Sequence, residues 1–433
     1  MPHFDNSAKM LYFVEILLYR ATLDLAFAKI IAPRFSYYMD LTLTVSHTDL
    51  ILTYIVLIIC SLFTYERKRS IANIFLQIQL FIFLIPMMTM CSLSGGNRKF
   101  FVLVATMHIV QCLVIKLYQI IKKKRWIIPM TPMTLFIIII MGIGGSSLLY
   151  TLYVYGGASL DALNFQNIYS IRENIQNSGF PMNYFVPWTF KVIIIVGLLI
   201  CIYKRKWVMC GLLFLGEIYF YLIYANKSTL FTLLLAISCV YISQKDNIGN
   251  WIAGALIAVI IGAAAIYEKW NSITPISYLV RRALLLPAKI RFAYYDFFNN
   301  NLKMHFANNT IGAIFDIKSS YSLEPAKLIA KYLGAPDSHC NSGYWGDAYA
   351  NFGVIGVVSF SMILIIYIIL LDRLSERIPA TIIIPCAIVL FYGLNDSALL
   401  TWLLGGGALL ELFLLWLYSE IGEKNEQIQE NSV

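Results

Sequence analysis

The chain has 433 residues, of which 59% are hydrophobic and only 13% are charged, and its mean hydropathy is +0.71. One water-soluble core cannot hide that much apolar surface, so the composition excludes a soluble globular domain and predicts a membrane protein. The net charge of +9 does not indicate nucleic-acid binding, because Lys and Arg cluster in short loops between apolar runs, a pattern that sets membrane topology.

Twelve apolar runs are each long enough to cross a bilayer, which needs about 20 residues of helix. They cover residues 10–32, 49–65, 71–92, 100–121, 127–150, 187–204, 207–224, 228–244, 249–267, 350–371, 378–394 and 398–419. The sequence therefore predicts an all-α polytopic membrane protein with about twelve transmembrane helices. Every second loop is basic, so we expect those loops and both termini to face the cytoplasm. The N-terminus lacks the pattern of a signal peptide, so we expect the first span to be retained.

Two long polar segments interrupt the apolar runs on the outer side. With them, the chain divides into five spans at 1–150, a first outer segment at 151–186, four spans at 187–267, a second outer segment at 268–347, three spans at 348–420 and a cytoplasmic tail at 421–433. Both outer segments are too polar to contact lipid and are expected to pack on the outer face. Residues 276–298 mix apolar, aromatic and basic side chains, which predicts an interfacial helix interrupted at Pro287.

Four cations lie in that predicted helix, namely Arg281, Arg282, Lys289 and Arg291. A guanidinium binds phosphate oxygens through two parallel hydrogen bonds, so the cluster suits a lipid-linked diphosphate whose tail stays in the bilayer. Attraction to anionic headgroups, or snorkelling, explains the same pattern without a specific ligand. Lys227, at the start of the eighth span, is either a further phosphate ligand or a snorkelling lysine at a helix end.

The most informative stretch is HCNSGYWGDAYANFG, residues 339–353, which ends the second outer segment. Asp347 and His339 are both candidates for a general base there, because either side chain can take a proton from a hydroxyl. The alternatives are a helix N-cap for Asp347 and an ordinary surface histidine for His339. Three polar residues near the predicted outer surface are further candidates for an acceptor site or cavity: Arg172, Asn341 and Asp396.

Ionisable residues inside the spans are costly unless they are paired or face water. Arg20 and Asp24 are four residues apart, so we expect them to pair on one face of the first span. Glu217 in the seventh span marks either a proton path or a bond to a neighbouring helix. No zinc-ligand spacing, phosphate-binding glycine loop or nucleophile motif occurs, so no metal or cofactor is predicted.

In these features the chain resembles the Wzy-type polymerases of oligosaccharide repeat units (O-antigen), which are glycosyltransferases of the bacterial inner membrane. The resemblance rests on the layout of twelve spans with two large outer segments, on the step Lys227-Ser228, and chiefly on NSGYWGDAYANFGVIG at residues 341–356. The Arg-x10-Gly pattern of some members is absent, because neither Arg172 nor any arginine in the second outer segment has a glycine at that spacing.

The resemblance implies a GT-C-like architecture and a periplasmic reaction in surface-polysaccharide (lipopolysaccharide) biosynthesis. A growing glycan would pass from one undecaprenyl diphosphate to the terminal sugar of a second lipid-linked repeat unit. The implied partners are these two glycolipids, membrane lipid, a flippase and a chain-length regulator, with no nucleic acid. The cations of residues 276–298, with Lys227, would hold the pyrophosphate, and Asp347 or His339 would take the acceptor proton without a metal ion.

Two other functions fit parts of the pattern. A flippase for lipid-linked oligosaccharides also has many spans and intramembrane charges, but such transporters often show two related halves and short loops. This chain has no evident internal repeat and places about 80 residues in one outer segment. An O-antigen ligase shares the donor and differs in the acceptor, so the sequence does not separate it from a polymerase.

Overall fold

The computed structural model describes residues 3–66, 69–121, 133–158, 160–163, 171–172, 175 and 178–430. The predicted cytoplasmic cations at 67–68 and 122–125, the start of the fifth predicted span at 127–132, most of residues 164–177 and the last three residues lie outside these ranges. The described residues are mostly helical and form no β-strand; one isolated bridge joins Thr44 to Ser94.

The α-helices follow one another along the chain with short connections. Their bounds are His3–Ala26, Ala32–Phe35, His47–Thr64, Ile71–Ile78, Ile85–Leu93, Arg98–Ile120, Met133–Tyr155, Met182–Trp188, Ile194–Tyr203, Trp207–Tyr224, Lys227–Ile242, Ile248–Trp270, Thr274–Ile276, Leu286–Asn300, Thr310–Ile314, Pro325–Tyr332, Tyr344–Leu374, Ala380–Gly393, Leu399–Leu403 and Ala408–Glu430. Four π-helical stretches continue these helices, at Phe27–Ile31, Gln79–Leu84, Thr189–Ile193 and Ser277–Leu285, and Leu160–Leu163 is a 3₁₀-helix.

Nine helices in the described part of the chain are long and apolar enough to cross a membrane. The prediction of an all-α polytopic membrane protein is therefore confirmed. The other three predicted spans are helical too: Lys227–Ile242 and Ala380–Gly393 are shorter apolar helices, and His3–Ala26 carries several charged residues. Twelve crossings remain a prediction.

Three of the π-helical stretches end just before a proline, namely Pro33, Pro86 and Pro287. Proline has no N–H and its ring clashes with the carbonyl one turn earlier, so a regular α-helix is broken or kinked there. A wider turn gives the ring room and lets the helix continue. The predicted interruption at Pro287 is thus a π-helical stretch followed directly by more helix.

The second half of the helix predicted to be interfacial is buried in protein. The whole helix runs through Thr274–Ile276, Ser277–Leu285 and Leu286–Asn300, and we refer to it as the outer helix. Nine consecutive residues, 287–295, are buried, whereas an interfacial helix leaves one face open to water. The basic and aromatic residues of this buried part therefore find partners inside the protein.

The chain divides into two compact units. Unit 1 comprises Met1–Lys122, Asp246–Ile368 and Leu394–Leu399, and unit 2 comprises Lys123–Lys245, Ile369–Gly393 and Leu400–Val433. The helical run Ile71–Leu93 is the centre of unit 1, since it is wholly buried. A cluster of Val186, Phe190, Ile194 and Phe220 is part of the core of unit 2.

The predicted pair in the first span is confirmed. Arg20 Nε donates to Asp24 Oδ2 at 2.8 Å, and the guanidinium also donates to the Ile85 carbonyl and the Ser92 hydroxyl. Arg20 is only 1% exposed, so these bonds replace the water that its charge loses on burial. This ion pair ties the first helix to the central run of unit 1.

Candidate functional site

Asp347 lies in the first turn of the helix Tyr344–Leu374, within unit 1. The helix begins three residues before it, so Asp347 is not the N-cap that the sequence offered as an alternative. A carboxylate in the first turn is still favoured by the helix dipole. The helix is sharply kinked just beyond, at Phe352 and Gly353, where Gly353 has a φ of 61° that suits glycine.

Two groups hold the Asp347 carboxylate. Asn351, one turn later, donates from Nδ2 to Asp347 Oδ1 at 3.0 Å, and the backbone N–H of Leu399 lies close to the carboxylate. Asn351 is itself fixed, because its Oδ1 accepts a bond of 2.8 Å from the backbone N–H of Phe306. Asp347 remains partly exposed, so an incoming hydroxyl can reach an oriented carboxylate.

Arg291, on the outer helix, is the most completely buried cation of the second outer segment, with 0% exposure. Its Nη2 donates to both the backbone oxygen and the Oδ1 of Asn395, while Nε and Nη1 have no hydrogen-bond partner. The ring of Phe83 lies 4.8 Å from the guanidinium carbon. Burial lowers the pKa of Arg291 to about 9, which leaves the guanidinium protonated at neutral pH.

The segment Leu394–Leu399 brings these two side chains into one site. Its Asn395 accepts from Arg291 and donates from Nδ2 to the Ala283 carbonyl at 3.0 Å, and the backbone N–H of its Leu399 lies close to the Asp347 carboxylate. The neighbouring Asp396 is exposed, and its charge opposes the lowering of the Arg291 pKa. Arg291 therefore lies beside Asn395 of this stretch and Asp347 beside Leu399, and we call the group of Arg291, Asp347 and Asn395 the Arg291 site.

The other three predicted phosphate ligands of the outer helix do not join Arg291. Arg281 donates to Ser277 and stacks at 4.2 Å on Phe35, and burial lowers its pKa. Lys289 pairs with Asp40 at 3.2 Å.

Arg282 is exposed beside the ring of Tyr278. The sequence groups the four cations, but the helix directs them to different sides.

His339 and Asp347 do not form a dyad. His339 is 57% exposed and its Nδ1 lies 3.2 Å from Oε1 of Glu324, and among the described residues no hydrogen bond or ion pair joins it to Asp347. The seven intervening residues include the start of the helix, which carries Asp347 away from the loop. Asn341 is exposed on that same loop.

The remaining two candidates belong to unit 2. Arg172 donates from Nε and Nη2 to the Ala225 carbonyl at 3.1 and 2.9 Å, and it lines an open cleft of about 430 Å³ with Phe190 and Tyr224. Lys227 is the first residue of the helix Lys227–Ile242 and is partly buried. A guanidinium beside aromatic rings gives the cleft one cationic wall and one apolar wall.

Sequence reasoning missed the two residues that lie against the Asp347 carboxylate, Asn351 and Leu399. Asn351 was detectable, because amide and carboxylate side chains four residues apart on a helix bond to one another. Leu399 gave no such signal, since it contributes only its backbone.

Comparison with protein-family models, with curated proteins and with solved structures gives no match for this chain. Within the described ranges, no group of three or more His, Cys, Asp and Glu side chains is placed to hold a metal ion.

Proposed function

We propose that the chain is a membrane glycosyltransferase that polymerises undecaprenyl-diphosphate-linked repeat units at the periplasmic face of the bacterial inner membrane. The observation that carries the proposal is Arg291, a wholly buried guanidinium with two unpaired donors that bonds to Asn395 of the segment Leu394–Leu399, beside whose Leu399 Asp347 lies. Buried charges in proteins are normally paired, so an unpaired one indicates an anionic ligand. The resemblance of residues 341–356 to the Wzy-type polymerases supports the same function.

The chemistry needs two groups, and this site offers both. The acceptor hydroxyl attacks the anomeric carbon of the donor sugar, its proton passes to the Asp347 carboxylate, and the bond from carbon to the diphosphate oxygen breaks. Negative charge develops on the leaving diphosphate, where a fixed cation in a low-dielectric setting stabilises the transition state most. Arg291 has no carboxylate bonded to it, so its charge is available for that purpose.

We assign roles to the remaining cations from the hydrogen bonds and ion pairs that each already makes and from its exposure. Lys289 and Arg281 have partners in the protein, so they have less to offer a diphosphate than Arg291. Exposed Arg282 attracts the anionic headgroup from outside. In unit 2, Arg172 and Lys227 stay candidates for binding an anionic glycolipid headgroup.

The test is deletion of the gene in the source bacterium, with gel analysis of the surface polysaccharide and complementation by variants. Loss of a polymerase limits surface glycan to one repeat unit, loss of a ligase leaves polymer on the carrier lipid, and loss of a flippase leaves single units inside the cell. Asp347→Asn keeps the shape and removes the base, so we expect polymer synthesis to fall about 10²- to 10⁴-fold.

Asp337→Asn is the matched control, because Asp337 is an exposed acid of the same outer segment. It should restore wild-type polymer. Normal polymer with Asp347→Asn would refute the assignment of the base, and a deletion strain with unchanged polysaccharide would refute the function.

A further inference from the structure

Two consecutive residues of the second outer segment have a left-handed backbone although neither is glycine. The φ angles of His305 and Phe306 are 48° and 67°. The Cβ of an L-residue makes this conformation costly, and two such residues in a row persist only where the surrounding contacts require them. We call these two residues the outer turn. Backbone strain of this kind concentrates at functional sites, so the contacts of the outer turn bear on function.

The conformation of the outer turn is imposed at Phe306. The centroid of its ring lies 4.8 Å from that of Phe352 and 5.9 Å from that of Phe360, on which it stacks. Gly312 closes the other side, because a Cβ added there would overlap the carbonyl oxygen of Phe306. His305, in contrast, is exposed, and its ring makes one contact, at 5.5 Å from that of Phe352.

The outer turn presents a backbone N–H to Asn351, and this bond decides which way the Asn351 amide points. The amide Oδ1 accepts from the N–H of Phe306 at 2.8 Å, while Nδ2 donates to the backbone oxygen of Asp347 at 2.9 Å and to its Oδ1 at 3.0 Å. The reversed amide would bring two donors together at Phe306 and acceptors together at Asp347. Asn351 is only 5% exposed, so water does not readily replace these bonds.

We infer that the outer turn positions the Asp347 carboxylate through Asn351. Phe306 and Asn351 are thus positioning residues, since both N–H groups and the oxygen of the Asn351 amide are bonded within the protein. The inference rests on the proposed function for the role of Asp347 as the base. A carboxylate that is not held presents its lone pair to the acceptor hydroxyl for less of the time, so loss of the arrangement lowers the rate of the chemical step.

Substitutions at His305 test the outer turn, because its side chain is exposed and each change acts through the backbone. Glycine adopts a positive φ without steric cost, whereas alanine is disfavoured there by its Cβ and valine further by its branching. All three variants lack the imidazole ring and its contact with Phe352, so the loss of the ring is the same in each. We expect His305→Gly to keep the wild-type rate, His305→Ala to be slower, and His305→Val to lower the rate about 10- to 100-fold.

The rate is measured on the purified full-length protein in liposomes, with lipid-linked repeat units extracted from the deletion strain, at several substrate concentrations. His305→Val should lower kcat and leave KM unchanged, because the outer turn acts on the base and not on the substrate. Asn351→Leu removes the amide at similar size and should have the same effect, so it provides the test if His305→Val does not fold. Hydrogen–deuterium exchange of peptides containing Phe306 is followed in parallel, and it should be faster in Asn351→Leu, where the N–H has lost its acceptor.

Equal rates of His305→Gly and His305→Val would overturn the positioning role, as would a raised KM at unchanged kcat. A loss as large in His305→Gly as in His305→Val would assign the effect to the imidazole ring and also refute the inference. Hydrogen exchange judges the arrangement without reference to sugar chemistry, and unchanged exchange at Phe306 in Asn351→Leu would contradict it. Faster exchange there, in a protein whose deletion leaves surface glycan intact, would keep the bond between Phe306 and Asn351 and refute the polymerase.

Discussion

Gly343 is the position at which the smallest change should disturb the Arg291 site most. A Cβ there would lie 2.6 Å from the Asn395 carbonyl oxygen, 2.7 Å from Arg291 Nη2 and 2.8 Å from Arg291 Nε. Ordinary contact needs separations near 3.5 Å, so Gly343→Ala obliges the guanidinium to move by about 0.7 Å. The backbone at Asn395 cannot give way as a flexible side chain would.

The size of the effect follows from that displacement. Overpacking in a well-packed interior costs about 1–3 kcal/mol of stability, so the variant should fold but unfold at a lower temperature. A misplacement of about 1 Å in a catalytic group can cost about 10²-fold in rate. We therefore expect polymer synthesis to fall about 10- to 100-fold with Gly343→Ala.

The assay is complementation of the deletion strain, with protein amount measured in the membrane fraction and polysaccharide length read from gels. Gly262→Ala is the control, because Gly262 lies within the helix Ile248–Trp270 and an added Cβ there meets nothing within 4 Å. It should leave the polymer unchanged and raise stability by about 0.5–1 kcal/mol. Wild-type polymer with Gly343→Ala, at equal protein amount, would show that the position of Arg291 does not matter.

Three further substitutions use the same assay. Asn395→Asp places a carboxylate against buried Arg291, and the resulting ion pair should compete with the diphosphate. Polymer synthesis should fall at least about tenfold at unchanged protein amount, whereas Asn395→Ala should retain more activity. Equal activity of the two variants would contradict this. His339→Ala should change polymer less than about threefold, because the exposed ring is directed at Glu324, and a loss as large as that of Asp347→Asn would make His339 the base. Lys289→Ala removes a pair whose carboxylate partner is mostly exposed, so stability should change by about 0–1 kcal/mol and polymer should persist; a complete loss would show that Lys289 binds substrate.

Local rules predicted the helices and one of the buried pairs. Apolar runs identify spans because lipid leaves the backbone no partner other than itself, and the spacing of Arg20 and Asp24 is enough to predict their bond. Contacts between residues far apart in the sequence could not be predicted in this way. Arg291 meets Asn395 across 104 residues, and Lys289 meets Asp40 across 249, so adjacent cations of one helix have unrelated surroundings.

The π-helical stretch Ser277–Leu285 determines the direction, around the helix axis, in which the later side chains of the outer helix point. Each residue of an α-helix turns the chain by about 100°, so a residue absorbed in a wide turn rotates the later side chains by that amount relative to an unbroken spiral. Arg281 lies within the stretch and Arg291 beyond it. If this stretch were one residue shorter, the Arg291 side chain would point away from Asn395. The one extra residue of the π-helical turn therefore determines that Arg291 points into the protein interior.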